Sequence, residues 1–77
     1  MPRVLIIEDE VQIRRLLKIA LQSRSYEVVD AAFGRVGIET VAFWQPDVVI
    51  LDLGLQDIDA LEVLQRIRAF SDVPVLV

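Results

Sequence analysis

Val4-Leu5-Ile6-Ile7-Glu8-Asp9-Glu10 runs from a short, unbroken apolar stretch straight into consecutive acids. An apolar run this short, without alternation, reads as a strand buried on both faces, as in a parallel sheet. The next residues have a different period. Ile13, Leu16, Leu17, Ala20 and Leu21 stand at i, i+3, i+4, i+7 and i+8, one stripe of a helix. Asp9, with Gln12 three residues on, predicts an N-cap and its capping-box partner. Glu10 and Arg14 fall at i, i+4 on the wet face of that helix.

The same two periods alternate along the rest of the chain. Tyr26–Val29 reads as a second strand. Gly34–Trp44 reads as a helix with Ile38, Val41 and Ala42 as its apolar face, weakened by Gly37 and stopped by Pro46. Asp47-Val48-Val49-Ile50-Leu51-Asp52 is a third strand. Asp59–Phe70 is a third helix, with Ala60, Val63, Leu64 and Ile67 as its stripe and Asp59 with Glu62 as a cap signature. Pro74–Val77 begins a fourth strand. The order β-α-β-α-β-α-β predicts an α/β fold with a parallel sheet and right-handed crossovers. No repeat, linker or low-complexity stretch interrupts it.

Composition narrows the function. The chain has 77 residues, 55% of them apolar, and 8 Lys+Arg against 12 Asp+Glu give a formal net charge of −4. That bounds it to one small domain, one that buries about 60–65% of its unfolded surface. The acid excess argues against sequence-independent nucleic-acid binding, which needs a basic face. With neither cysteine nor histidine, disulfides, thiolate zinc sites and imidazole acid–base chemistry are excluded together. A bound metal must be held by oxygen, which points to Mg²⁺ or Ca²⁺. Val4–Ile7 is too short for a signal peptide, and nothing approaches the ~20 apolar residues of a membrane span. No membrane partner is expected, and the expected address is the cytosol.

The acids fall where buried strands end. Glu8 and Asp9 directly follow the first strand, and Asp52 closes the third. In a doubly wound sheet these strands are neighbours across the switch point, where ligands bind outside the carboxyl ends. Converging like charges repel, and a divalent cation resolves the conflict; Mg²⁺ suits a few carboxylates plus waters. A carboxylate such as Asp52 can also attack phosphorus and hold a phosphoryl group as an acyl phosphate. Gly54, two residues on, permits close backbone approach, so its carbonyl is a further candidate ligand. For an isolated Asp52, ending a strand and capping a turn would be the better reading; the acids at the neighbouring strand end shift the balance. Asp57 and Asp59 read as turn and cap residues rather than ligands.

Val4–Glu10 (VLIIEDE), Asp47–Asp57 (DVVILDLGLQD) and Val73–Val77 (VPVLV) together resemble the receiver domain of two-component response regulators. The match covers the whole chain in order. Its wording is nearest to the winged-helix (OmpR/PhoB-like) branch, and within it to KdpE-type regulators of potassium transport. The resemblance implies a flavodoxin-like (CheY-like) sheet of order 2-1-3-4, and phosphotransfer from a sensor histidine kinase to Asp52 as phosphoacceptor. It implies Mg²⁺ bound directly by Asp9 and by Glu8 largely through water, with Asp52 and the Gly54 carbonyl as further members of the metal set. It also implies control of transcription through an output domain outside these residues.

Departures from the family's wording set further expectations. Gln56, Ile58 and Ala60 stand where the family has proline, glycine and glycine, so the loop after Asp52 is expected to differ; an Ile58 at positive φ would be strained. The family's Ser/Thr after the fourth strand and Lys after the fifth are not among these residues, nor are its fourth helix, fifth strand and fifth helix. The chain is therefore expected to be an incomplete receiver with slow or absent phosphorylation, an enzyme only in catalysing its own modification. Both sheet faces are expected to be short of helix cover. The fourth strand, with Val73, Val75, Leu76 and Val77, is expected to be an open edge prone to self-association. Arg14, Arg15 and Lys18 read either as a solvated helix face or as part of a kinase-docking surface. Phe43 and Trp44 read as packing at a helix end.

Two other functions compete. One is a non-catalytic interaction or dimerisation module with a vestigial metal site. The other, a nucleotide binder, fails because Glu8-Asp9-Glu10-Val11 stands where a glycine-rich phosphate loop is required.

Overall fold

A computed structural model describes residues 1–77. The elements are β1 (Arg3–Ile7), α1 (Val11–Gln22), β2 (Glu27–Ala31), α2 (Gly34–Trp44), β3 (Val48–Leu51), α3 (Ala60–Arg68) and β4 (Val75–Leu76). All strand pairs are parallel, in the order β2-β1-β3-β4. This is the α/β sheet expected from the alternation of periods. The apolar runs decide it: Leu5, Ile6 and Ile7 are fully buried, and Leu51 is 1% exposed. Burying each such side chain stabilises the fold by roughly 1.5–3 kcal/mol.

Register sorts the side chains onto two faces. Leu5 lies beside Val29 and Val49, and Ile7 beside Ala31 and Leu51. This face packs under α2 and α3, where Val41, Ile58, Ala60, Val63, Ile67 and Val73 complete the larger core. Val4, Ile6 and Val28 form the smaller core on the other face, against Leu17 and Leu21 of α1. The expected shortage of helix cover is most evident on the α1 face, and Val29 and Val75 on the other face are also only half-buried. On the α1 side Val48 and Ile50 stay half-buried. No residue of α1 is fully buried. Of its expected stripe only Leu17 and Leu21 pack well; Ile13, Leu16 and Ala20 stay exposed, because α1 turns Arg14 and Lys18 toward Asp30 of the sheet on the same side as Leu17 and Leu21.

The helices show why the sequence takes this path. A Cβ on Gly37 would stand 2.4 Å from Ile7 Cδ1, so the glycine that weakens α2 lets it sit directly on β1. The buried face of α2 is accordingly Gly34, Gly37, Thr40 and Val41. Ala42, expected there, is exposed. Thr40 satisfies its buried hydroxyl by donating to Val36 O (2.8 Å). Gln45 adopts φ 54 as the left-handed C-cap of α2, just before Pro46. Asp59 caps α3 as expected, accepting from the Leu61 N–H at 3.4 Å. Glu62 pairs with Arg66 one turn on.

At the sheet's opposite end, Arg3 ties several elements together. Its main-chain N–H donates to Asp47 Oδ2 (2.7 Å), its guanidinium to Trp44 O (2.7 Å), and it lies over the Trp44 ring. Trp44 thus packs at a helix end as expected, whereas Phe43 is 78% exposed. β4 is an edge strand of two residues; Leu76 is exposed, but Val73 is buried in the core rather than displayed.

Candidate metal centre

The parallel ladder continues one residue beyond the strands and thereby places the acids. Asp52 N–H donates to Ile7 O (2.9 Å), and Glu8 N–H donates to Ala31 O (3.0 Å). Since Ile7 and Leu51 are register partners, Glu8 and Asp52 emerge side by side at the carboxyl end of the sheet. Asp9 follows in the turn to α1. One carboxylate oxygen from each of Glu8, Asp9 and Asp52 lies within 4.8 Å of the others. Glu8 is buried, and Asp9 and Asp52 are half-buried.

No side-chain cation neutralises this cluster. The ion pairs of the molecule are Arg3–Glu27, Arg14–Asp30, Lys18–Asp30 and Arg66–Glu62. The one hydrogen bond to the cluster's carboxylates comes from the Glu10 N–H, at 3.1 Å from Glu8 Oε2. Burial pushes the Glu8 carboxyl above the usual carboxylate range; the Glu10 N–H opposes this, and the contact with Asp52 and the charge of Asp9 add to it. Hard oxygen donors, a surplus of negative charge and partial exposure fit a small divalent cation such as Mg²⁺.

Asp9 corrects one expectation. The N-cap of α1 is Glu10, with extended φ −81 and ψ 115, and no side chain caps the helix. A carboxylate drawn into the Glu8–Asp52 group is not free to serve the helix end. Gly54 is exposed and has no positive φ, so conformational freedom is not its reason. A Cβ there would stand 3.5 Å from Asp52 Oδ2, so glycine leaves that side of the carboxylate uncrowded.

The loop after Asp52 is the largest surprise. Ile58 is 6% exposed and belongs to the main core, without positive φ. It fills space above Gly34, where a Cβ would meet Ile58 Cγ2 at 2.3 Å. Asp57 caps not its own turn but the start of α2, accepting from Gly34 N–H (2.9 Å) and Arg35 N–H (3.1 Å). Desolvation pushes the Asp57 carboxyl up. The N–H groups of Gly34, Arg35 and Asp57 itself, with the Arg35 charge, outweigh it and hold the carboxyl below its ordinary value. Capping box and turn rules are local, so the sequence offered no signal for this contact.

The basic residues of α1 also differ from a free docking face. Arg14 Nε and Lys18 Nζ donate to the two oxygens of Asp30 (2.9 and 3.2 Å), and Arg14 Nη1 donates to Glu8 O at 2.9 Å. Of the three, Arg15 alone makes no ion pair. The surface hollow of the molecule lies elsewhere, between the C-terminal ends of α2 and α3, and its lining of Val41, Ala42, Gln45, Pro46, Phe70 and Ser71 contains no charged group.

Comparison with known proteins agrees with this geometry. Residues 4–77 match the family described as the response regulator receiver domain. The transcriptional regulatory protein KdpE of Mycobacterium tuberculosis is 46% identical over 77 residues, covering 100% of this chain and 34% of that protein. The KDP operon transcriptional regulatory protein KdpE of Escherichia coli is 44% identical over the same span, again 34% of its length. The chain thus spans about a third of the length of these curated relatives. Among solved structures, the chemotaxis response regulator CheY4 of Vibrio cholerae superposes with a TM-score of 0.93 at 29% identity, covering 97% of this chain and 65% of that one. A chain in the complex of histidine kinase ThkA with response regulator protein TrrA gives 0.90 at 37% identity, covering 97% and 66%.

Proposed function

The chain belongs to the response regulator receiver domain family, and from that premise we propose that it is a phosphoacceptor module whose Asp52 takes a phosphoryl group from a sensor histidine kinase. The carrying observation is the convergence of Glu8, Asp9 and Asp52 within 4.8 Å, with no side-chain cation among them. Asp9 directly, Glu8 largely through water, Asp52 and the Gly54 carbonyl would hold Mg²⁺ at this cluster. Bound there, Mg²⁺ supplies neutralisation of phosphoryl oxygens and orientation of the attack.

An Asp52 carboxylate oxygen forms the new bond to phosphorus. The P–N bond to the donor imidazole breaks, and its electron pair stays on the imidazole, which then takes up a proton. Asp52 is half-exposed and open on its Gly54 side, as in-line approach of a bulky donor requires. Lys18 is held by Asp30 and makes no ion pair with the cluster. The likeness to KdpE proteins supports a cytoplasmic role in transcription, exerted through an output domain outside these residues.

The test is intact-mass analysis after incubation with Mg²⁺ and a small acyl-phosphate donor. One labile phosphoryl adduct is expected on the wild-type chain, none without Mg²⁺, and none on Asp52→Asn. An unmodified wild-type chain that forms stable dimers would favour a non-catalytic interaction module instead.

A further inference from the structure

Glu8 is gripped at three points. Its N–H donates to Ala31 O, its carboxylate accepts from the Glu10 N–H, and its main-chain carbonyl accepts from Arg14 Nη1 at 2.9 Å. The third grip comes from the only cationic side chain that touches the acidic segment, yet its charge is committed elsewhere. Arg14 Nε donates to Asp30 Oδ2 at 2.9 Å, and Lys18 holds the other Asp30 oxygen. The Arg14 side chain is 17% exposed, so this arrangement is sheltered from screening. Its placement follows from register. Asp30 pairs with Ile6 on the face that α1 covers, and Arg14 stands on α1 above it.

A guanidinium beside carboxylates ordinarily pairs with them. Doing so here would quench the cluster and exclude a metal ion. We propose that Arg14 is a positioning residue of the metal centre: it fixes the Glu8 carbonyl while Asp30 keeps its charge from pairing with Glu8, Asp9 or Asp52. The inference rests on the metal-centre reading and assigns the residues that hold the centre in shape.

The prediction has a sign that simple electrostatics does not share. Removing a positive charge near a cation site strengthens cation binding if charge alone matters. It weakens binding if Arg14 acts by position. Mg²⁺ titration of the isotope-labelled chain, followed by backbone amide NMR, separates the two. Before Mg²⁺ is added, Arg14→Met is expected to shift the Asp9 amide, which shares a peptide unit with the Glu8 carbonyl. With Mg²⁺, its affinity is expected to fall on the order of tenfold, the scale of lost outer-shell contacts. Lys18→Met, which removes the same charge from the same Asp30, leaves the affinity unchanged. Arg14→Lys keeps the charge but spans only one of the two acceptors, and it weakens binding as well; it serves if the Met variant does not fold. A wild-type response that every Arg14 variant matches or exceeds overturns the inference alone. A wild-type chain with no Mg²⁺ response overturns the metal-centre reading and this inference together.

Discussion

Glu8 and Asp52 carry their carboxylates to the same point because Ile7 and Leu51, one residue before each, are partners across β1 and β3. Main-chain hydrogen bonds enforce the approach, so the side chains cannot relieve their repulsion by moving the strands apart. In cation-free solution, Asp52→Asn is therefore expected to stabilise the fold, on the order of 1 kcal/mol for a partly solvated like-charge contact. Mg²⁺ should then stabilise the wild type but not the variant. Denaturant unfolding in chelator and in Mg²⁺ checks both statements.

Two carboxyls make stability depend on pH with opposite signs. The folded-state pKa of Glu8 is raised, chiefly by burial. The folded chain therefore holds that proton more tightly than the unfolded one. The resulting stability is fully present below the ordinary carboxylate value and is lost as pH rises through the raised value. Glu8→Gln should raise neutral-pH stability in chelator and flatten this limb.

Asp57 behaves the other way. Desolvation raises it, but the N–H donors of Gly34 and Arg35 win and depress the folded value. Its contribution is present above the ordinary value and is lost as pH falls through the depressed one. Asp57→Ala, which removes both acceptors, should lose stability at neutral pH, on the scale of a helix cap, about 0.5–2 kcal/mol, with little further loss in acid. Thermal unfolding across a pH series distinguishes the two residues.

Gly34 and Ile58 form a lock between α2 and the loop after Asp52. A Cβ on Gly34 would meet Ile58 Cγ2 at 2.3 Å and Val63 Cγ2 at 2.9 Å. Gly34→Ala should destabilise by about 1–3 kcal/mol through overpacking. Ile58→Ala should cost about 2–5 kcal/mol through the cavity it leaves. The double variant should cost clearly less than the sum, since each change relieves the other. Strict additivity in a double-mutant cycle would contradict the contact.

The outer edge of β4 carries Leu76 at 60% exposure beside Val77 at 70%. An uncharged apolar edge pairs readily with another chain. We expect concentration-dependent association of this chain in sedimentation, reduced by Leu76→Lys. A wild type that stays monomeric throughout the accessible range would refute edge pairing.

The parts legible in the sequence were those decided by near neighbours. Val4–Ile7 and Val48–Leu51 had no way to satisfy so unbroken an apolar run except as central strands. Because acids follow them directly, the cluster of Glu8, Asp9 and Asp52 came with the strands. The misreadings each involve a partner far along the chain. Asp9 fits a helix cap as well as a cluster, and only the position of Asp52 decides between them. Ile58 looks misplaced in a turn until Gly34 supplies the hollow it fills. Arg14 and Lys18 read as a solvated helix face until β2 brings Asp30 beneath them.

The central claim is that these strand ends hold a divalent cation, and Mn²⁺ in place of Mg²⁺ reports it most directly. Substoichiometric Mn²⁺ added to the labelled chain broadens amide signals steeply with proximity. The account predicts broadening centred on residues 8–10 and 52–54, reversed by excess Mg²⁺ and absent in Asp9→Asn. Broadening spread over the other exposed acids, or left intact in that variant, would contradict it.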